Sequence, residues 1–90
     1  HCVKHDEQSL LSKELALIKI KITNEIFFEV SNAIQHVDGQ VIDKADDYVI
    51  ASIVSNSQTI DWVLRVLGQF EITEIMRTGQ IVMVRDNSNT

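Results

Sequence analysis

Two spacing rules alternate along this chain, and the order in which they alternate limits what it can fold into. Over residues 14–22 every second side chain is apolar. Ala16, Ile18, Ile20 and Ile22 fall on one side and Lys19 and Lys21 on the other, as in a strand buried on one face. Thr23 and Asn24 interrupt the pattern, and Asn24 is a good helix N-cap with Glu25 in the first turn. Ile26, Phe27, Val30, Ala33, Ile34 and Val37 then recur three and four apart, which is one stripe of a helix. Gly39 stands where a left-handed C-terminal cap is expected.

The second half repeats the sequence of periods. Residues 40–45 read as a strand, Asp46-Asp47 as a tight connection, and residues 48–54 as a third strand rich in β-branched side chains. Ser55, Asn56 and Ser57 are capping residues. Ile60, Val63, Leu64 and Leu67 follow at helical spacing, and Gly68 weakens or ends that helix. Residues 71–76 alternate again, Thr78-Gly79 is a turn signal, and residues 81–85 form a last strand. The order strand, helix, strand, strand, helix, strand predicts an α+β sandwich of the ferredoxin-like βαββαβ kind. Its sheet is antiparallel, both helices lie on one face, and a short C-terminal hairpin extends it. Residues 1–13 are expected to be a tail or linker, 14–86 the domain, and 87–90 a disordered tail.

Ninety residues suffice for one domain. The net charge of −5, with eight basic residues scattered between Lys4 and Arg85, argues against nucleic acid and against an anionic membrane surface. No apolar run approaches the ~20 residues of a membrane span, and no signal peptide is visible. The single cysteine, Cys2, forms no internal disulfide, which fits a reducing compartment and makes the cytoplasm the expected location.

If both helices cover one face of the sheet, the other face should be polar in a solitary domain. Here it is not. Leu15 and Leu17 share that side of the first strand with Lys19 and Lys21, and residues 48–54 and 81–84 are apolar on both sides. Burying a Leu-sized side chain contributes roughly 1.5–3 kcal/mol. The open face or the sheet edge is therefore expected to pair with another copy or another domain.

Particular segments resemble a known family. Glu14-Leu-Ala-Leu-Ile-Lys-Ile20 is similar to the R-E-L-A-L-I-K-V segment that opens the C-terminal domain of the acetolactate synthase small, regulatory subunit. Gly39-Gln-Val-Ile-Asp43 resembles that family's G-x-I-I/V-D. Phe70-Glu-Ile-Thr-Glu-Ile-Met-Arg-Thr-Gly79 is similar, without gaps, to F-G-I-L-E-I-A-R-T-G, and the last strand resembles V-A-L-S-R. The chain departs from the family at Ser12-Lys13, at Glu71 and at Asp86. The family's N-terminal ACT domain, which carries a valine-sensing loop, has no match within these residues. The first turn here, Thr23-Asn24-Glu25, lacks a glycine, so the family's effector residues are not carried over. The resemblance implies an ACT-like domain without catalytic residues, metal or cofactor, which dimerises and contacts the thiamine-dependent catalytic subunit in branched-chain amino-acid biosynthesis. An alternative is a stand-alone ACT-type sensor that binds a small amino acid at a dimer interface.

Side chains with catalytic potential have plainer readings. His1, Cys2, His5 and Asp6 read as a solvated tail rather than a metal site. His36 near a helix end suits the helix dipole. Asp43, Asp46 and Asp47 suit turns. Ser9, Ser12, Ser52 and Ser55 lack the context of a nucleophile. Arg77-Thr78-Gly79 reads either as a contact with a partner subunit or neighbouring protomer, or as a tight turn with Gly79 at positive φ and Arg77 in a surface salt bridge. Trp62, beside the Ile60/Val63/Leu67 stripe, reads as core rim or as an interface anchor. The expected interaction residues are thus Leu15, Leu17, Trp62, Arg77, Thr78 and Gly79.

Overall fold

A computed structural model describes residues 10–85. Its elements run β1 (Leu10–Lys21), α1 (Phe27–His36), β2 (Gln40–Lys44), β3 (Tyr48–Ser55), α2 (Ser57–Leu67), β4 (Glu71–Arg77) and β5 (Ile81–Val84). The strands lie in the order β2-β3-β1-β4, every pairing is antiparallel, and β5 pairs with β1. This is the ferredoxin-like arrangement expected from the alternating periods, and the ACT-like domain that the family resemblance implies.

Burial follows the period-2 reading. Ala16, Ile18 and Ile20 of β1, Ile22 just beyond its end, and Val49, Ala51 and Ile53 of β3 are buried, and they meet Val30, Ile34 and Val37 from the α1 side and Ile60, Val63 and Leu67 of α2. Ile26, Phe27, Ala33, Leu64, Val66, Phe70 and Ile72 pack around this core. The sheet therefore has one face under the helices and one face open.

Local capping differs between the helices. At α2, Asn56 Oδ1 accepts the Thr59 N–H at 2.7 Å, satisfying one of the free donors of the first turn. At α1, Asn24 is not the cap. The Ile26 N–H donates to the Thr23 carbonyl at 3.2 Å, so a turn is spent first and the helix begins behind Ile26 with no side-chain cap. The end of α1 also corrects an expectation. Asp38, not Gly39, takes the left-handed conformation, with φ of 61°. The Asp38 N–H donates to the Gln35 carbonyl at 3.0 Å and the Gly39 N–H to the Ile34 carbonyl at 2.8 Å, the paired bonds of a Schellman ending. Gly39 is needed for space, because a Cβ there would stand 3.0 Å from side-chain carbons of both Ile34 and Ile53.

Two expectations about the ends of the domain change. β1 begins at Leu10, four residues ahead of the boundary expected at Glu14. The C-terminal hairpin is not formed by β4 and β5. Both strands run antiparallel to β1, β4 against residues 16–21 and β5 against residues 10–13, so the chain keeps its direction through Thr78-Gly79. Between Arg77, opposite Ala16, and Ile81, opposite Lys13, the three residues Thr78, Gly79 and Gln80 stand against Glu14 and Leu15. Gly79, with φ of +82°, makes this a bulge in one long edge strand. A Thr-Gly pair announces positive φ in a turn and in a bulge alike, which is why the residues alone suggest a hairpin. The metal-capable residues His1, Cys2, His5 and Asp6 lie outside the described residues.

Candidate interaction site

The open face is assembled from alternate residues of three neighbouring strands. Leu17 of β1 stands opposite Ser52 of β3 and Met76 of β4; Lys19 stands opposite Ile50 and Glu74; Leu15 stands opposite Val54. Leu17, Lys19, Ile50, Glu74 and Met76 line a shallow hollow of about 130 Å³. Val54 and Met76 are each 61 % exposed, too much for large apolar side chains with a covering neighbour. Leu15 and Leu17 are half-buried by their strand neighbours alone.

Charge gathers at one end of this face. Lys19 is paired in register with Glu74 and Lys21 with Glu71, and the Lys19 ammonium lies 4.6 Å from the centre of the Tyr48 ring. The Tyr48 hydroxyl donates to Asp43 at 3.3 Å, and the negative charge of Asp43 raises the phenol above its ordinary range. The apolar end lies the other way along β1. There Leu15 and Leu17 lead on to Leu11, and β5 adds Met83 opposite Leu11 and Ile81 opposite Lys13.

Arg77 lies on the helix side of that apolar end, and the structure ties Arg77, Thr78 and Gly79 alike to β1. Arg77 holds the buried Glu14 carboxylate through Nε at 3.0 Å and a second guanidinium nitrogen at 2.7 Å. It also reaches Asp61 of α2 at 2.7 Å and the Ser57 carbonyl at 3.4 Å. The Thr78 N–H donates to the Leu15 carbonyl at 3.0 Å, and its hydroxyl accepts the Leu15 N–H at 3.1 Å. The Gly79 N–H donates to Glu14 at 3.1 Å. With Arg77 chiefly responsible, and the Ser57 hydroxyl and Gly79 N–H assisting, the Glu14 carboxyl drops from an ordinary 4.5 to about 2 against the opposing effect of burial. Glu14 and Asp61 in turn raise the pKa of Arg77.

Of the expected interaction residues, Leu15 and Leu17 lie on the open face, and Trp62 lies apart from them, half exposed on α2. Glu14, the hub of the Arg77 network, was not among them. Glu14 occupies a core-facing position of β1, and a carboxylate there demands a cation; that is the signal by which the pairing could have been found. Phe28, 73 % exposed and tilted against Phe27 at 5.5 Å, also escaped the reading because it stands off the α1 stripe. His36 is the last residue of α1, and Asp43 serves Tyr48. Among the described residues no three His, Cys, Asp or Glu side chains group as a metal would require, and no helix is long and apolar enough to cross a membrane.

Comparison with known proteins agrees with this geometry. The family described as "Small subunit of acetolactate synthase" matches residues 13–86. The acetolactate synthase small subunit of Bacillus subtilis is 30 % identical over 78 residues, covering 87 % of this chain and 45 % of its own length. The small subunit of Mycobacterium bovis is 30 % identical over 83 residues, covering 92 % of this chain and 49 % of its own. A crystal structure of the acetolactate synthase small subunit from Thermotoga maritima superposes with a TM-score of 0.79 at 27 % identity, covering 90 % of this chain and 50 % of that one. The chain thus spans about half the length of the relatives it matches. With the match running from the start of the Glu14 segment through the Arg77-Thr78-Gly79 bulge to the end of β5, the chain belongs to the family of acetolactate synthase small subunits.

Proposed function

We propose that this domain is the regulatory, non-catalytic part of a cytoplasmic acetolactate synthase small subunit, and that it works by contact. Two copies associate, and the open face of the sheet is offered to the thiamine-dependent catalytic subunit of branched-chain amino-acid biosynthesis. The observation that supports this most strongly is the apolar end of the open face, where Leu15, Leu17, Ile50, Val54 and Met76 come together in a chain of this family. Apolar patches of this kind on small domains mark interaction surfaces. The hollow between Leu17, Ile50 and Met76 is shallow, about 130 Å³, which suits an inserted apolar side chain better than an enclosed small-molecule site.

Reconstitution tests the reading. The purified domain is added to the cognate catalytic subunit, and turnover and complex formation are followed with increasing domain concentration. A saturable change in turnover, weakened by Leu17→Lys or Met76→Lys, is expected. A verified catalytic subunit that neither binds the domain nor changes its rate would overturn the proposal.

A further inference from the structure

The sheet has two outer edges, and they are defended very differently. At one edge, β2 shifts register between Val41 and Asp43 and carries Asp43 and Lys44. Bulges and charges are what natural edge strands use to discourage pairing. At the other edge β4 carries Glu71, Glu74 and Arg77, but its continuation β5 reads Ile81-Val-Met-Val84, without a charge and without a proline. All four β5 side chains are exposed, from 43 % at Val84 to 67 % at Met83.

β5 also lacks the support that the other strands have. β3 ends at Ser55, opposite Glu14, so residues 10–13 and 81–84 run on as a two-stranded ribbon past the end of β3. Two strands alone are marginal in water; a third is normally required. Among the described residues β5 is paired on one side only, leaving the N–H and C=O groups of its outer side unmatched by any strand.

We propose that this outer side of β5 is the contact through which two copies of the chain join, β5 against β5 of the partner, antiparallel about a two-fold axis through Val82. The proposal rests on the self-association part of the reading above and specifies its surface. The argument for a second copy is one of charge. A two-fold axis sets a strand against itself, so any central charge meets its own sign. Self-pairing of β4 about its middle residue brings Glu74 against Glu74 of the partner, and like charges directly opposite destabilise a strand pair. Self-pairing of β5 about Val82 brings Val82 to Val82 and Ile81 to Met83, and no charge meets its like. Ile81 and Met83 face the open side together with Lys13 and Leu11. The axis thus joins the apolar ends of two open faces into one continuous surface.

Sedimentation equilibrium of the full chain, with charge exchange at Val82, tests this. The unmodified chain is expected to be a dimer. Val82→Glu and Val82→Lys, each alone, are expected to raise the dimer dissociation constant roughly tenfold or more, and their equimolar mixture to restore a heterodimer of near wild-type affinity. Circular dichroism and thermal melts of the variants verify folding. Hydrogen exchange on the unmodified chain provides an independent reading, with β5 amides gaining protection as concentration rises through the dimerisation range. A monomer at high micromolar concentration would overturn both the self-association reading and this contact. A dimer indifferent to both charges, or one whose β5 amides show no concentration-dependent protection, would overturn this contact alone.

Discussion

Glu14 and Arg77 lie 63 residues apart in the chain and meet at 2.7 Å, with the carboxylate only 4 % exposed. The pair fastens the middle of β1 to the end of β4. Through Asp61 and Ser57 it also fastens both strands to the first turns of α2. It sits where the helix-covered sheet gives way to the ribbon, so it fixes the direction in which the ribbon leaves the body of the domain.

Removing one partner of this pair should harm more than removing both. Arg77→Met leaves Glu14 buried without its cation, whereas Glu14→Gln with Arg77→Met leaves no unpaired charge. Thermal melts should rank wild type above the double variant and the double variant above Arg77→Met. Asp61→Asn, which removes an exposed arm of the network, should stay near wild type. A double variant melting below Arg77→Met would contradict the pairing.

The same pair sets a pH dependence. The folded pKa of Glu14, about 2, lies below its ordinary 4.5, so the unfolded chain binds the extra proton first as pH falls. The stabilisation is fully present above roughly pH 4.5 and is lost as pH drops toward about 2. Melting temperatures of wild type and Glu14→Gln, compared between pH 6 and pH 2, should converge toward the acid end. A constant difference across that range would rule the assignment out.

Adjacent residues of β1 should behave in opposite ways. Ile18→Ala opens a cavity between sheet and helices and should cost about 2–5 kcal/mol in urea unfolding. Leu17→Ser on the open face should cost well under half of that, yet should reduce association or catalytic-subunit binding. Equal stability losses at the two positions would mean that the open face is as well packed as the core.

The glycines separate space from conformation. Gly39→Ala pushes a methyl group against Ile34 and Ile53 and should cost roughly 1–3 kcal/mol. Gly79→Ala meets no atom within 4 Å but holds a side chain at φ of +82°, at a cost of roughly 1–2 kcal/mol that Gly79→Asn should reduce. Asp38→Gly, at the true left-handed position, should be neutral or stabilising. Destabilisation by Asp38→Gly beyond about 1 kcal/mol would dispute the reading of this helix end.

Tyr48 is the sole tyrosine, so ultraviolet titration reports on it directly. Its midpoint should lie above that of a free tyrosine because of Asp43, and Asp43→Asn should lower it. An unchanged midpoint would show that the hydroxyl is not held by that carboxylate.

By itself, the sequence determined the order of elements, the core and the open face. Each of these depends on periodicity, and periodicity is a property of neighbours in the chain. Every second residue of 16–22 and the stripes of Val30/Ile34/Val37 and Ile60/Val63/Leu67 are buried as their spacing requires. Only the tertiary structure decided how distant segments use one another. The core-facing position of Glu14 calls for a cation, but that the cation is Arg77 is decided only when β1 and β4 are laid side by side. Asp38 takes positive φ at the end of α1, and Gly39 beside it is required instead for space, part of it filled by Ile53 of a distant strand. Thr78-Gly79 continues an edge instead of reversing it because residues 10–13 of β1 lie ready to pair with β5. Turn-forming residues specify a local backbone shape, and the strand that waits beyond it decides whether that shape becomes a hairpin or a bulge.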